Sequence, residues 1–166
     1  MAKRKLQSNV REATADGRDV KLLLVDENAN DLDYYSEVLR YLGYEVQPVD
    51  SYARAADTLG RERFDLVIVD QGSANFEGRS VLSRAVEIDR RVPVLVLTRT
   101  ADADCCIEAL DAGAHEYVQK PLTTLEVREL VRDYMNSPSG RPYAFRRELA
   151  GSGARESGRE PLRRAS

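Results

Sequence analysis

The sequence predicts an α/β fold in which a five-stranded parallel sheet, order 2-1-3-4-5, carries helices on both faces. Three observations predict it: five short β-rich runs recur at spacings of about 20 to 28 residues, helical patterns alternate with them, and the central runs are apolar on both faces. The strands read as Lys21 to Val25, Tyr44 to Val49, Asp65 to Val69, Val92 to Leu97 and Glu116 to Val118. After the first strand, Leu32, Tyr35, Leu39 and Leu42 fall on one helical face and Gly43 supplies a C-terminal stop. After the fourth, Cys106, Ala109 and Leu110 lead to Gly113 in the same way. The last helix opens with a capping box, Thr123 with Glu126, and continues with Val127, Leu130, Val131 and Tyr134 on one side.

Right-handed crossovers leave few ways to connect five such units. The economical one is the flavodoxin-like order, which reverses direction between strands 1 and 3 and opens a crevice at their C-terminal ends. Two apolar runs end on acids at that crevice: Leu22-Leu23-Leu24-Val25 meets Asp26 and Glu27, and Leu66-Val67-Ile68-Val69 meets Asp70. Carboxylates held a few ångströms apart repel unless a cation sits among them, and the hard, oxygen-seeking Mg²⁺ (or Mn²⁺ in its place) suits such a set. Strand 4 brings Thr98 to the same edge and strand 5 brings Lys120. Three acids, a hydroxyl and an ammonium suit a phosphoryl group carried on a carboxylate.

The chain's 166 residues, 42% hydrophobic and 32% charged, suffice for one domain, read as residues 21–135, flanked by basic tails at 1–20 and 136–166. The second tail is rich in Gly, Ser and Arg, and both read as disordered, with no output module expected after Met135. Residues 21–135 hold 13 basic and 22 acidic side chains, a net −9, which disfavours nucleic acid and favours cations and basic partners. No apolar segment is long enough to cross a membrane and no signal core follows the basic start, so a cytoplasmic protein is expected. The adjacent Cys105 and Cys106 suit neither a long-loop disulfide nor a four-ligand metal site and read as reduced helix residues. His115, the single histidine, reads as a surface or structural residue.

The segment 21–135 resembles a two-component response-regulator receiver domain. The resemblance rests on Val25-Asp26-Glu27, on Asp70 with Gly78 eight residues later, on Val92-Pro93-Val94 leading to Thr98, and on Ala112-Gly113-Ala114 before Tyr117 and Lys120-Pro121. It implies that Asp70 accepts a phosphoryl group from a phosphohistidine on a histidine kinase or phosphotransfer protein. Asp26, Glu27, Asp70 and the backbone carbonyl of Gly72 would hold Mg²⁺, and Lys120 and Thr98 would contact the phosphoryl oxygens. Thr98 and Tyr117 would then switch together and change the surface of helix 4, strand 5 and helix 5, where a downstream protein or a second copy docks.

Several residues depart from that pattern. Ala74 stands where a proline is usual, in the polar stretch "QGSANFEG", which reads as a more mobile loop. Gly72, at a position that tunes phosphoryl lifetime in this family, has no side chain to orient or shield a water. Arg99 replaces a small residue and is a candidate gate, with either the phosphoryl group or Asp70 as its partner; the sequence leaves both open. Three functions are therefore weighed: a single-domain response regulator, a degenerate receiver that binds partners without phosphorylation, and a haloacid-dehalogenase-like phosphatase. The last lacks its second acid, since Gly72 occupies that place.

Overall fold

A computed structural model describes Gly17 and residues 19–136. The tail readings fall almost wholly outside the described residues. Five strands, β1 (Lys21–Val25), β2 (Glu45–Val49), β3 (Leu66–Asp70), β4 (Val94–Thr98) and β5 (Glu116–Gln119), alternate with α1 (Ala29–Tyr41), α2 (Tyr52–Arg61), α3 (Arg79–Ile88), α4 (Ala103–Asp111) and α5 (Thr124–Met135). All neighbours in the sheet are parallel, in the order β2-β1-β3-β4-β5, as the sequence predicts.

Side-chain alternation divides the sheet between two cores. Leu22, Leu24, Leu66, Ile68, Leu95 and Leu97 pack with Tyr35, Val38 and Leu39 of α1 and with Val127, Leu130 and Val131 of α5. Leu23, Val25, Val67, Val69, Val94 and Val96 pack on the other face with Ala55 and Leu59 of α2, Val81, Leu82 and Ala85 of α3, and Cys105 and Ala109 of α4. Burying each such aliphatic side chain is worth about 1.5–3 kcal/mol, which is why a strand apolar on both faces stays in the middle. Pro48, which has no N–H to donate, sits in the edge strand β2, where it is tolerated.

Two boundaries differ from the sequence reading in a way that matters. β3 and β4 each run one residue further, so that Asp70 and Thr98 close their strands as ladder residues opposite Leu97 and Gln119. β4 also starts later: Pro93 cannot donate, and the N–H of Val94 goes to Nδ1 of His115 at 3.2 Å instead of to a strand. The single histidine is thus structural, as read. Both cysteines are free and buried on α4, with Cys105 rather than Leu110 in the core.

Candidate phosphoacceptor site

Backbone hydrogen bonds fix where each chemical group stands at the C-terminal sheet edge. The N–H of Asp26 donates to the Val49 carbonyl at 3.1 Å, that of Gln71 to Leu97 at 2.7 Å, and that of Lys120 to Thr98 at 2.7 Å. Three strand ends are therefore locked side by side just where their functional residues emerge. Gly78 makes this possible on β3, because a Cβ there would run into the carbonyl oxygen of Asp70.

The Lys120 ammonium lies at the centre. Its side chain is 4% exposed, and Nζ is 2.6 Å from Oδ2 of Asp26, 2.6 Å from Oδ1 of Asp70 and 2.9 Å from Oδ2 of Asp31. One ammonium has three N–H donors, and all three meet a carboxylate. Burial pushes the Asp26 carboxyl above its ordinary value, and the hydrogen bonds from Lys120 and from the Asn28 N–H only partly oppose it. Burial also works against the Lys120 cation, but its hydrogen bonds to Asp26, Asp70 and Asp31 outweigh that, so its pKa is raised. A lysine outnumbered by acids stays charged, and the acids remain short of positive charge.

The third acid on the lysine carries no signal in the sequence. It is Asp31, in the first turn of α1, while Glu27 stands exposed. Of the two partners left open for Arg99, Asp70 is not the one it meets: it pairs with Asp31, through Nε at 3.1 Å and Nη2 at 2.8 Å. A second residue that sequence reasoning misses is Tyr52, at the start of α2, whose hydroxyl donates to Oδ2 of Asp70 at 3.3 Å. Burial, then the nearby Asp70 carboxylate, keeps that phenol protonated and a donor.

The loop after Asp70 is tied down rather than loose. The N–H of Gly72 donates to Oδ2 of Asp70 at 2.8 Å, the N–H and hydroxyl of Ser73 donate to Glu77, and the Gln71 amide donates to the Ser73 carbonyl at 3.0 Å. Gly72 has φ +86°, and a side chain there would collide with Glu77 and approach the Tyr52 hydroxyl. Phe76 holds a left-handed φ of 53° while burying its ring, a strain that the apolar burial offsets. Gln71 is 2% exposed and accepts a hydrogen bond from the Tyr117 hydroxyl, so the residue after Asp70 is joined directly to β5. Thr98 instead turns its hydroxyl to the Thr100 carbonyl at 2.8 Å.

A family model for the response regulator receiver domain matches residues 22–132. The chain belongs to this family. Among curated relatives, the receiver is 31% identical over 106 residues to the transcriptional regulatory protein ZraR of Klebsiella oxytoca, an alignment covering 64% of this chain and 24% of ZraR. The chain thus spans about a quarter of that relative's length. It is 29% identical over 115 residues to sporulation initiation phosphotransferase F of Bacillus subtilis, covering 69% of this chain and 93% of that one. Among solved structures, the receiver domain of sensor histidine kinase PA1611 from Pseudomonas aeruginosa, described with a magnesium ion coordinated in its active-site cleft, has TM-score 0.64 and 28% identity, covering 71% of this chain and 98% of that one.

Receivers are phosphoacceptor signalling domains rather than classical enzymes, and they work with histidine kinases or phosphotransfer proteins and with downstream effectors. Among the described residues no helix is long and apolar enough to cross a membrane. Among the same residues no group of three or more His, Cys, Asp or Glu side chains is arranged to hold a metal ion. The donor chemistry nevertheless fits a hard divalent cation: the carboxylates of Asp26 and Asp70 already converge on one positive charge, and Mg²⁺ is commonly held by one or two carboxylates with water filling the rest.

Proposed function

We propose that this chain is a single-domain response regulator that accepts a phosphoryl group on Asp70 from a histidine kinase or phosphotransfer protein. The observation that carries this is the convergence of Asp26, Asp70 and Lys120 on one point at the C-terminal sheet edge.

In the reaction an Asp70 carboxylate oxygen attacks phosphorus, the P–N bond to the donor imidazole breaks with its electron pair leaving on nitrogen, and an aspartyl phosphate forms. Mg²⁺ held by Asp26, Glu27, Asp70 and the Gly72 carbonyl would supply charge offset for the phosphoryl oxygens. Tyr52 and the Gly72 N–H orient the Asp70 carboxylate by donating to Oδ2. Lys120, already 2.6 Å from Oδ1, shifts its ammonium onto a phosphoryl oxygen. Thr98 leaves the Thr100 carbonyl to donate to another, and Tyr117, joined to Gln71, transmits the change to β5. A partner or a second copy would dock on the α4, β5, α5 face, the one that carries Tyr117.

Intact-protein mass after incubation with acetyl phosphate and Mg²⁺ tests the assignment. A single phosphate-sized gain, lost in Asp70→Asn and in EDTA, is expected. Labelling that persists in Asp70→Asn overturns it, and no labelling under any condition favours the degenerate receiver.

A further inference from the structure

Asp31 and Arg99 belong to no part of the chemistry just described, yet they reach the one buried cation of the site. We propose that Asp31 is an internal competitor for the Lys120 ammonium and that Arg99 is the counter-ion that tempers it, so that the pair sets how readily an anion on Asp70 captures Lys120. This rests on the phosphoacceptor reading, and it assigns both residues as positioning residues acting through Lys120.

The geometry is specific. Oδ2 of Asp31 accepts from Lys120 Nζ at 2.9 Å and from Arg99 Nε at 3.1 Å, while Oδ1 lies 2.8 Å from Arg99 Nη2. The carboxylate is thus shared between the two cations on one oxygen and committed to Arg99 on the other. Two features hold it there: the Asn28 side chain caps α1 by accepting from the Asp31 N–H at 3.1 Å, and the helix N-terminus favours negative charge in its first turn. The planar guanidinium holds both carboxylate oxygens at once, which a point charge does not.

Arrival of a phosphoryl group asks Lys120 to give up one of its three carboxylates. Asp26 and Asp70 are needed beside the metal and the acceptor, so Asp31 is the one to be released, and Arg99 stays bound to it when that happens. Removing Arg99 leaves the whole Asp31 charge on Lys120. The local field then becomes more negative, which favours a divalent cation and disfavours an anionic donor; because the Arg99 side chain is 59% exposed and screened by water, the loss of its unit charge changes binding by about three- to tenfold. Cation and anion effects of opposite sign follow from this arrangement and from no simple steric gate.

The test uses the full chain with Asp31→Asn, Arg99→Ala, Arg99→Lys and the double variant Asp31→Asn with Arg99→Ala. Mg²⁺ affinity is measured by calorimetric titration, and labelling rate with acetyl phosphate by intact mass. Arg99→Ala is expected to tighten Mg²⁺ and slow labelling, each about three- to tenfold. Arg99→Lys restores most of both, and Asp31→Asn speeds labelling and makes it insensitive to Arg99→Ala. Faster labelling on Arg99→Ala, both with Asp31 in place and in the Asp31→Asn background, overturns the proposal in favour of a direct gate. An unchanged Mg²⁺ affinity in Arg99→Ala overturns it as well, and that arm is read even if the wild-type chain takes no phosphoryl group, a result that would count against the phosphoacceptor reading alone.

Discussion

At the scale of single residues, the site is a contest between burial and charge. Lys120 survives as a buried cation because three carboxylates meet its three donors, and removing one partner from such a cluster costs far more than forming it gains. Two other residues are decided by fit. Gly78→Ala forces a methyl group against the Asp70 carbonyl, so the variant is expected to lose about 1–3 kcal/mol in urea unfolding, with the acceptor displaced. His115 accepts the Val94 N–H on Nδ1, and burial lowers its pKa, so the folded chain resists protonation that the unfolded chain accepts. Its contribution to stability is complete above the unfolded value near 6.5 and falls as pH drops through and below it. His115→Asn, which keeps an acceptor without a titrating ring, is expected to flatten the urea midpoint between pH 7.5 and pH 5.5 relative to wild type.

At the scale of elements, rules that act over a few residues are legible in the chain. The capping box of α5 is present in full: the Thr123 N–H and hydroxyl both reach Glu126, and the Glu126 N–H reaches back to Thr123 Oγ1. Thr123→Ala is expected to cost about 1 kcal/mol by urea unfolding, with no change in the slope of the transition. On α1 the periodicity selects Leu32, Tyr35, Leu39 and Leu42, whereas the buried set is Tyr35, Ser36, Val38 and Leu39. Ser36 is the discrepancy with a consequence, because its hydroxyl is buried and, among the described residues, the one side-chain polar atom so enclosed with no hydrogen-bond partner. Ser36→Ala is expected to raise stability by about 1 kcal/mol, since it removes an unmet donor from an apolar face. The apolar runs stop one residue short of the strand ends at Asp70 and Thr98, because composition cannot show that a polar residue still sits in a ladder opposite Leu97 or Gln119.

At the scale of the whole molecule, one sheet carries two separate cores, and each side depends on leucine or valine side chains with no exposure at all. Leu95→Ala, in the middle of β4 and facing α1 and α5, is expected to cost about 2–5 kcal/mol and to lower the unfolding midpoint accordingly. The five β-α units, the order of the sheet and the placing of Asp26, Asp70, Thr98 and Lys120 at one edge are all legible in the chain alone. They follow from period, strand-end position and crossover handedness, which are properties of short stretches or of chain connectivity. Which side chains pair is settled by the folded arrangement. Arg99 and Asp31 are 68 residues apart in the chain and Lys120 and Asp31 are 89 apart. Tyr52, Gln71 and Asp31 carry no local signal, because an acid in a helix's first turn, a tyrosine after a serine cap and a glutamine after an aspartate look like ordinary surface residues. Side chains that meet across a sheet edge are chosen by packing, and packing exists only once the strands are side by side.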